Sequence, residues 1–371
     1  MQPTELTREG ARVMTVCNAC RYCEQYCPAF QAMEQRVTFA SADLNYLANL
    51  CHACGECLYA CQYAPPHELA INVPKTFAQL RVHSYEQYAW PAALGAAFRH
   101  QGVMTALLLA GVMIALLLGS ALALDRDVLL ETGTAADFYA VVPHGVMVAL
   151  FGGVGTFVLA ALAIGAARCV RDQRTMNAAP AHGERGGTRA ALRDALTLKH
   201  LHVAGRDCTT GLEVRTPWRR WLHHATFYGF MLCFASTCVA TVYHFAGTPA
   251  PYAYSSAPVL LGSAGGIALF IGAAGALWHR RARDTALSHA AQDNLDQSFI
   301  VLLALTAATG LLLLALRHER AMGLLLVVHL GVVLALFVTL PYGKLVHGLY
   351  RTIALLRYRR EPDRTCAKEA L

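Results

Sequence analysis

The sequence predicts an all-α protein, a soluble N-terminal head followed by a membrane-embedded remainder, and three observations predict it. Six apolar stretches are long enough to cross a bilayer, which takes about 20 residues each. Eight of the 13 cysteines crowd into residues 17–61. The lysines and arginines alternate in density across the apolar stretches, with 28 of 31 falling on one side. Charged residues are 15% of the chain, well below the roughly 25% of soluble domains. A fully soluble protein and a disordered one are both excluded.

Residues 1–100 form the head. Its start, MQPTELTREGARVM, is polar and lacks the apolar stretch of a secretion signal, so the cysteines read as intracellular ligands before they read as disulfides. They form two runs of identical spacing: Cys17-x2-Cys20-x2-Cys23-x3-Cys27, then Pro28, and Cys51-x2-Cys54-x2-Cys57-x3-Cys61. Two-residue gaps let one short loop wrap three corners of an iron–sulfur cube, and in paired clusters the fourth cysteine of each run serves the other cluster. This predicts one 4Fe–4S cluster on Cys17, Cys20, Cys23 and Cys61, and a second on Cys51, Cys54, Cys57 and Cys27. Zinc also takes pairs of cysteines but rarely four at this spacing. Gln62 stands where the first run has Pro28, a departure from small bacterial ferredoxins. The connection 28–50 reads as helix, with Phe30, Met33, Val37, Leu44 and Leu47 at helical intervals. The head is therefore expected to be a helical ferredoxin-like domain. His52 and His67, beside the second run, read as packing or surface histidines, with cluster tuning as the alternative.

Residues 101–371 form the membrane domain, with spans expected at 101–124, 142–167, 223–246, 257–279, 298–316 and 322–342. Pro341 interrupts the last, which is expected to kink or continue past it. The excess of lysine and arginine on the side of residues 1–100 puts both termini in the cytoplasm. Because the basic residues flank membrane segments instead of gathering on one module, nucleic-acid binding is excluded. The cytoplasmic loop 168–222 is expected to start loosely and then dock. The glycines of FGGVG (151–155) and GSAGG (262–266) are expected to permit close helix packing. Cys169, Cys208, Cys233, Cys238 and Cys366 lack ligand spacing and read as small apolar fillers or free thiols.

Histidines inside apolar spans are costly and point to function. The third span carries His223 and His224 at its inner end and His244 at its outer end; the sixth carries His329, with His347 just inside. On an ideal helix His329 and His347, 18 residues apart, point the same way, about 27 Å apart in rise. His223 and His244 lie about 60° apart around the axis, and His224 and His244 about 160°. The geometry thus prefers His223, with His224 still open. The two spans run in opposite directions, so His223 (or His224) meets His347 near the inner face and His244 meets His329 near the outer one. Each pair suits a bis-histidine b-type haem. His100, His144, His279 and His318 lie near membrane ends and read as headgroup contacts. Lys344 and Tyr342 are near the inner haem level, where a lysine reads first as a topology anchor. No G-x-G-x-x-G motif occurs, so electrons must come from another protein.

Together the strings CNACRYCEQYCPAF (17–30), DLNYLANLCHACGECLYACQYAPPHELAINVP (43–74), WRRWLHHATFYGFMLCFAST (218–237), VATVYHF (239–245) and PYGKLVHGLYR (341–351) resemble the tricarballylate/citrate utilization protein B family. The resemblance implies an electron-transfer protein of the bacterial inner membrane with iron–sulfur clusters and haem b. It would reoxidise the FAD of a tricarballylate dehydrogenase-like partner and feed the quinone pool. It also implies that Cys17, Cys20, Cys23, Cys27, Cys51, Cys54, Cys57 and Cys61 are the cluster ligands. The architecture expected is a six-helix transmembrane cytochrome b-like bundle. The alternatives are the same conduit serving another flavoprotein, as in cobalamin synthesis, and a membrane redox sensor or scaffold.

Overall fold

The computed structural model describes residues 3–98, 102–124, 138–176, 187–201, 217–248 and 250–361. Among these the secondary structure is helical, with no strand. The head holds α1 (Pro3–Cys20), α2 (Pro28–Met33), α3 (Ser41–Leu50), α4 (Glu56–Tyr59), α5 (Val73–Tyr88) and α6 (Ala92–Phe98). The connection 28–50 is thus two helices, not one. The chain leaves helical form between Met33 and Ser41, where Val37 is 92% exposed instead of facing the core. Arg36 provides the reason. It is buried in that break, its guanidinium bonded to Asp43 and Glu361 at 2.7 Å each.

The membrane domain holds α7 (Val103–Leu124), α8 (Phe138–Val141), α9 (His144–Arg174), α10 (Gly187–Leu196), α11 (Trp218–Phe245), α12 (Ala257–Arg281), α13 (Ala290–Ala315), α14 (Met322–Thr339) and α15 (Val346–Arg360). Six of these, α7, α9, α11, α12, α13 and α14, are long and apolar enough to cross a membrane. Leu107, Leu108, Leu116, Val242, Ile271 and Phe270 stand exposed on their outer faces, as lipid contact requires. Trp218, Trp221 and Trp278, exposed at matching ends of α11 and α12, mark an interface level. The sixth span ends at Thr339 rather than continuing through Pro341. Proline lacks the N–H that a continuing helix needs, and the chain turns instead, with the N–H groups of Tyr342 and Gly343 both donating to the Thr339 carbonyl.

Glycine seams set the closest crossing. A Cβ at Gly229 would lie 2.5 Å from the Leu269 nitrogen, one at Gly265 2.8 Å from the Cys233 nitrogen, and one at Gly272 2.5 Å from the Thr226 nitrogen. Helices α11 and α12 therefore pack backbone to backbone along their length. GSAGG takes part as expected. FGGVG does not: a Cβ at Gly152, Gly153 or Gly155 would meet nothing within 4 Å.

The head's core reaches past the head itself. Leu44, Leu47, Leu50, Met33 and Phe77 are fully buried there, together with Met176 beyond α9, Ala191 of α10 and Ala354, Leu355 and Tyr358 of α15. The inner loop is docked where it is described, through α10 against α15 and an Arg359–Asp194 ion pair. The loose start expected between 171 and 190 is helical at both ends, where α9 runs to Arg174 and α10 begins at Gly187. Its middle (177–186), the segment 202–216 with Cys208, and His100 and Cys366 lie outside the described residues.

Candidate cofactor sites

The eight head cysteines form two groups in space. Cys17 and Cys20 lie at the end of α1, Cys23 in the turn beyond it and Cys61 after α4, and all four line a cavity of about 230 Å³. Burial, then the neighbouring Cys23, Cys61 and Cys20, pushes the Cys17 thiol up to about 12. Cys27 precedes α2, Cys51 follows α3, and Cys54 and Cys57 bracket the start of α4; these four line a second cavity with His52, Ala53 and His200. Burial, then Cys51 and Cys54, lifts the Cys27 thiol well above its ordinary range.

Local sequence explains these loops. Pro28 sits in the first turn of α2, where its missing N–H costs nothing. No helix starts directly after Cys61, so Gln62 has no such position to fill. Ala53 and Gly55 adopt left-handed backbone, with φ of 50° and 89°. That curl turns the Ala53 N–H onto Cys51 Sγ at 3.3 Å, the type of bond that supports a cluster thiolate.

None of the described cysteines is in a disulfide. Among the described residues no three His, Cys, Asp or Glu side chains converge on an ion-sized point. The cysteines surround a volume, which fits an iron–sulfur cube better than a zinc ion. Cluster iron would hold such buried thiols as thiolates.

A third cavity, about 260 Å³, lies between the head and the inner ends of the membrane helices. His223 of α11 and His347 of α15 both line it, their ring centres 5.9 Å apart and their planes at 70°. Two imidazoles on opposite sides of one metal, with bonds of about 2 Å, hold their ring centres about 6 Å apart. The His347 Nδ1–H donates to the Lys344 carbonyl at 2.6 Å, leaving Nε2 with its lone pair. His223 Nδ1 is buried without a hydrogen-bond partner. Burial, then Lys344 and Arg351, draws the His347 imidazole well below the usual histidine range, so it stays in the neutral form that ligates.

Phe227, Phe230, Phe299 and Leu303 give the cavity apolar walls. Arg81, Arg219, Arg280, Arg283, Lys344 and Arg351 also line it, against one carboxylate, Asp296. Asp296 is taken up by Lys344 and Arg280 at 2.7 Å each. The cationic surplus suits a flat apolar group with carboxylates at its edge, so these residues fit a haem.

His224 turns elsewhere and stacks on Tyr228, ring centres 5.6 Å apart. The break at Pro341 removes the continuous helix on which the alignment of His329 with His347 was reckoned, and α15 brings His347 to His223 instead. At the outer level the structure does not bring His244 and His329 into ring contact. His244 stacks on His144 at 4.1 Å, with Tyr139 at 5.4 Å. His144, expected to be a headgroup contact, thus packs on His244 instead; its position at the outer end of its span, level with His244, was the available signal. His329 Nδ1 lies 2.9 Å from Thr309 Oγ1. Since that hydroxyl already donates to the Leu305 carbonyl at 2.7 Å, it accepts from His329, and His329 Nε2 keeps its lone pair.

Of the other candidates, His279 also lines the third cavity, and His318 accepts from Arg317 Nε at 3.2 Å. His67 Nδ1 accepts from the Leu69 N–H at 3.0 Å, a local turn contact. Lys344 is engaged with Asp296 instead of anchoring at headgroups. The Tyr342 hydroxyl donates to the Trp90 carbonyl at 2.9 Å, tying the turn after α14 to the head.

Comparison with known proteins adds independent findings. Residues 99–368 match the family model described as citrate utilization protein B. Residues 10–96 match that of the citrate utilization protein B Fer4-like domain. Citrate utilization protein B of Escherichia coli is 49% identical over 364 residues, covering 97% of this chain and 94% of the relative. No solved structure matches.

Proposed function

Since the chain belongs to the citrate utilization protein B family, we propose that it is a membrane electron-transfer protein that reoxidises the FAD of a partner dehydrogenase, of tricarballylate dehydrogenase type, and delivers the electrons to quinone. The Fer4-like match supports an iron–sulfur role for the head. Two 4Fe–4S clusters and two b haems supply one-electron carriage when bound. Cys17, Cys20, Cys23 and Cys61 hold the first cluster, and Cys27, Cys51, Cys54 and Cys57 the second. His223 and His347 grip the inner haem. His329, its Nδ1 fixed by Thr309, serves the outer haem; His244, stacked on His144 in this structure, joins it only by turning out of that stack. The protein sits in the bacterial inner membrane with the head and both termini cytoplasmic.

One observation carries this reading, the serial order of the cavities. The first is lined by head residues alone. Cys57 lines both the first and the second. Cys51, His52 and Ala53 line both the second and the third, where His223 and His347 lie. The order supports entry of electrons at the Cys17 group and passage toward the membrane.

A reduced-minus-oxidised spectrum of the purified protein, with iron and haem quantified per chain, tests the proposal. Bands of b-type haem and iron for two four-iron clusters are expected, and reduced partner flavoprotein should produce the same difference spectrum in vesicles. Purified protein without haem would sink the conduit.

A further inference from the structure

His52 is 7% exposed, and neither of its ring nitrogens has a hydrogen-bond partner among the described residues. A buried imidazole with two idle nitrogens is costly unless something meets it. It stands in the wall shared by the second cysteine cavity and the His223–His347 cavity. The backbone around it is pinned from three helices. Arg351 of α15 donates to the Cys51 carbonyl at 2.6 Å and Arg219 of α11 to the His52 carbonyl at 2.8 Å. Arg81 of α5 donates to the Ala48 carbonyl at 3.1 Å. Three guanidiniums converge on one short segment while its side chain is left unpaired, so the wall is built to hold His52 in place rather than to satisfy it.

The geometry points to His52 as the positioning residue between the two cofactors: one ring N–H donates to the sulfur of the Cys27/Cys51/Cys54/Cys57 cluster while the ring spans the wall toward the inner haem. This rests on the reading that those cysteines hold a cluster and that His223 and His347 hold a haem. In the step it serves, one electron leaves the reduced cluster, one ferric haem becomes ferrous, and no proton moves. A hydrogen bond to cluster sulfur favours the reduced, more negative state, and the arginines lean the same way.

Full-length protein carrying His52→Phe, which keeps the ring volume without nitrogens, provides the test, with His52→Gln as the variant that retains an N–H. Electron paramagnetic resonance of clusters and haem should show full occupancy in both. In His52→Phe the potential of one cluster should fall, and haem reduction by prereduced clusters should slow about tenfold, the scale of losing a supporting hydrogen bond. His52→Gln should recover most of both. Unchanged potentials and rate in a fully loaded His52→Phe protein overturn the assignment. Should His52→Phe assemble without its cluster, pulsed resonance on 15N-histidine-labelled protein carrying His200→Phe, which removes the other imidazole lining that cavity, decides: an imidazole nitrogen coupled to the reduced cluster upholds it, and no coupling overturns it. Absence of the second cluster or the haem from unaltered protein instead defeats the underlying reading, a failure visible before any variant is made.

Discussion

His223 and His224 are neighbours in sequence with different surroundings. A helix turns about 100° per residue, so one ring enters the inner cavity opposite His347 while the other lies on Tyr228. His223→Ala is therefore expected to abolish the inner haem signal and lower haem per chain, and His224→Ala to leave both intact, as read by difference spectra and haem extraction. The reverse pattern would assign the ligand to His224. The grouping of the cysteines was legible without this ambiguity, because residues two and three positions apart share one short loop. The histidine choice was only favoured by sequence, since it depends on where α11 starts and how it tilts. The stack of His144 on His244 was not read at all. It joins two helices separated by a long stretch of chain, and spacing along one helix carries no information about rotation of another.

The helical elements were legible because six apolar runs can satisfy their backbone in lipid only as helices. Their packing was not. FGGVG and GSAGG look alike as strings, yet the first faces open space while the second is packed, Gly265 against α11 backbone and Gly266 against Leu311 of α13. Which face of a span meets another helix depends on its rotation, and nearly uniform apolarity hides that. The difference has a measurable consequence. Gly272→Leu puts a Cβ 2.5 Å from the Thr226 nitrogen, and since backbone cannot yield as a side chain would, α11 must move away from α12. The cost is expected to be about 1–3 kcal/mol or more, seen as a lower unfolding midpoint in detergent and as weakened haem retention through His223. Gly153→Ala, in open space, should be neutral or stabilising by up to about 1 kcal/mol through helix propensity. A destabilised Gly153→Ala protein would mean that α9 is packed there after all.

For the whole molecule, the head and the C-terminal helix form one body. Arg36 is 5% exposed and bonded at 2.7 Å to both Asp43 of α3 and Glu361 just past α15. The Tyr46 hydroxyl also donates to Glu361 at 3.1 Å. Removing one partner of such a buried pair leaves a charge uncompensated, typically at a cost of 3–5 kcal/mol, so the contact holds the chain's two ends together. Six crossings return the chain to the side it left, which is the arrangement this contact demands. The proposed orientation, which puts that side in the cytoplasm, rests on the distribution of 28 of 31 basic residues. Alkaline phosphatase needs disulfides and becomes active only beyond the cytoplasmic membrane, so fusions report the side directly. A fusion after Gly247, between α11 and α12, should be active; fusions after Ser288, between α12 and α13, and after Glu361 should be inactive. Activity at Glu361 without activity at Gly247 would put the cysteine head outside, away from any cytoplasmic flavoprotein, and the proposed direction of electron entry would fall with it.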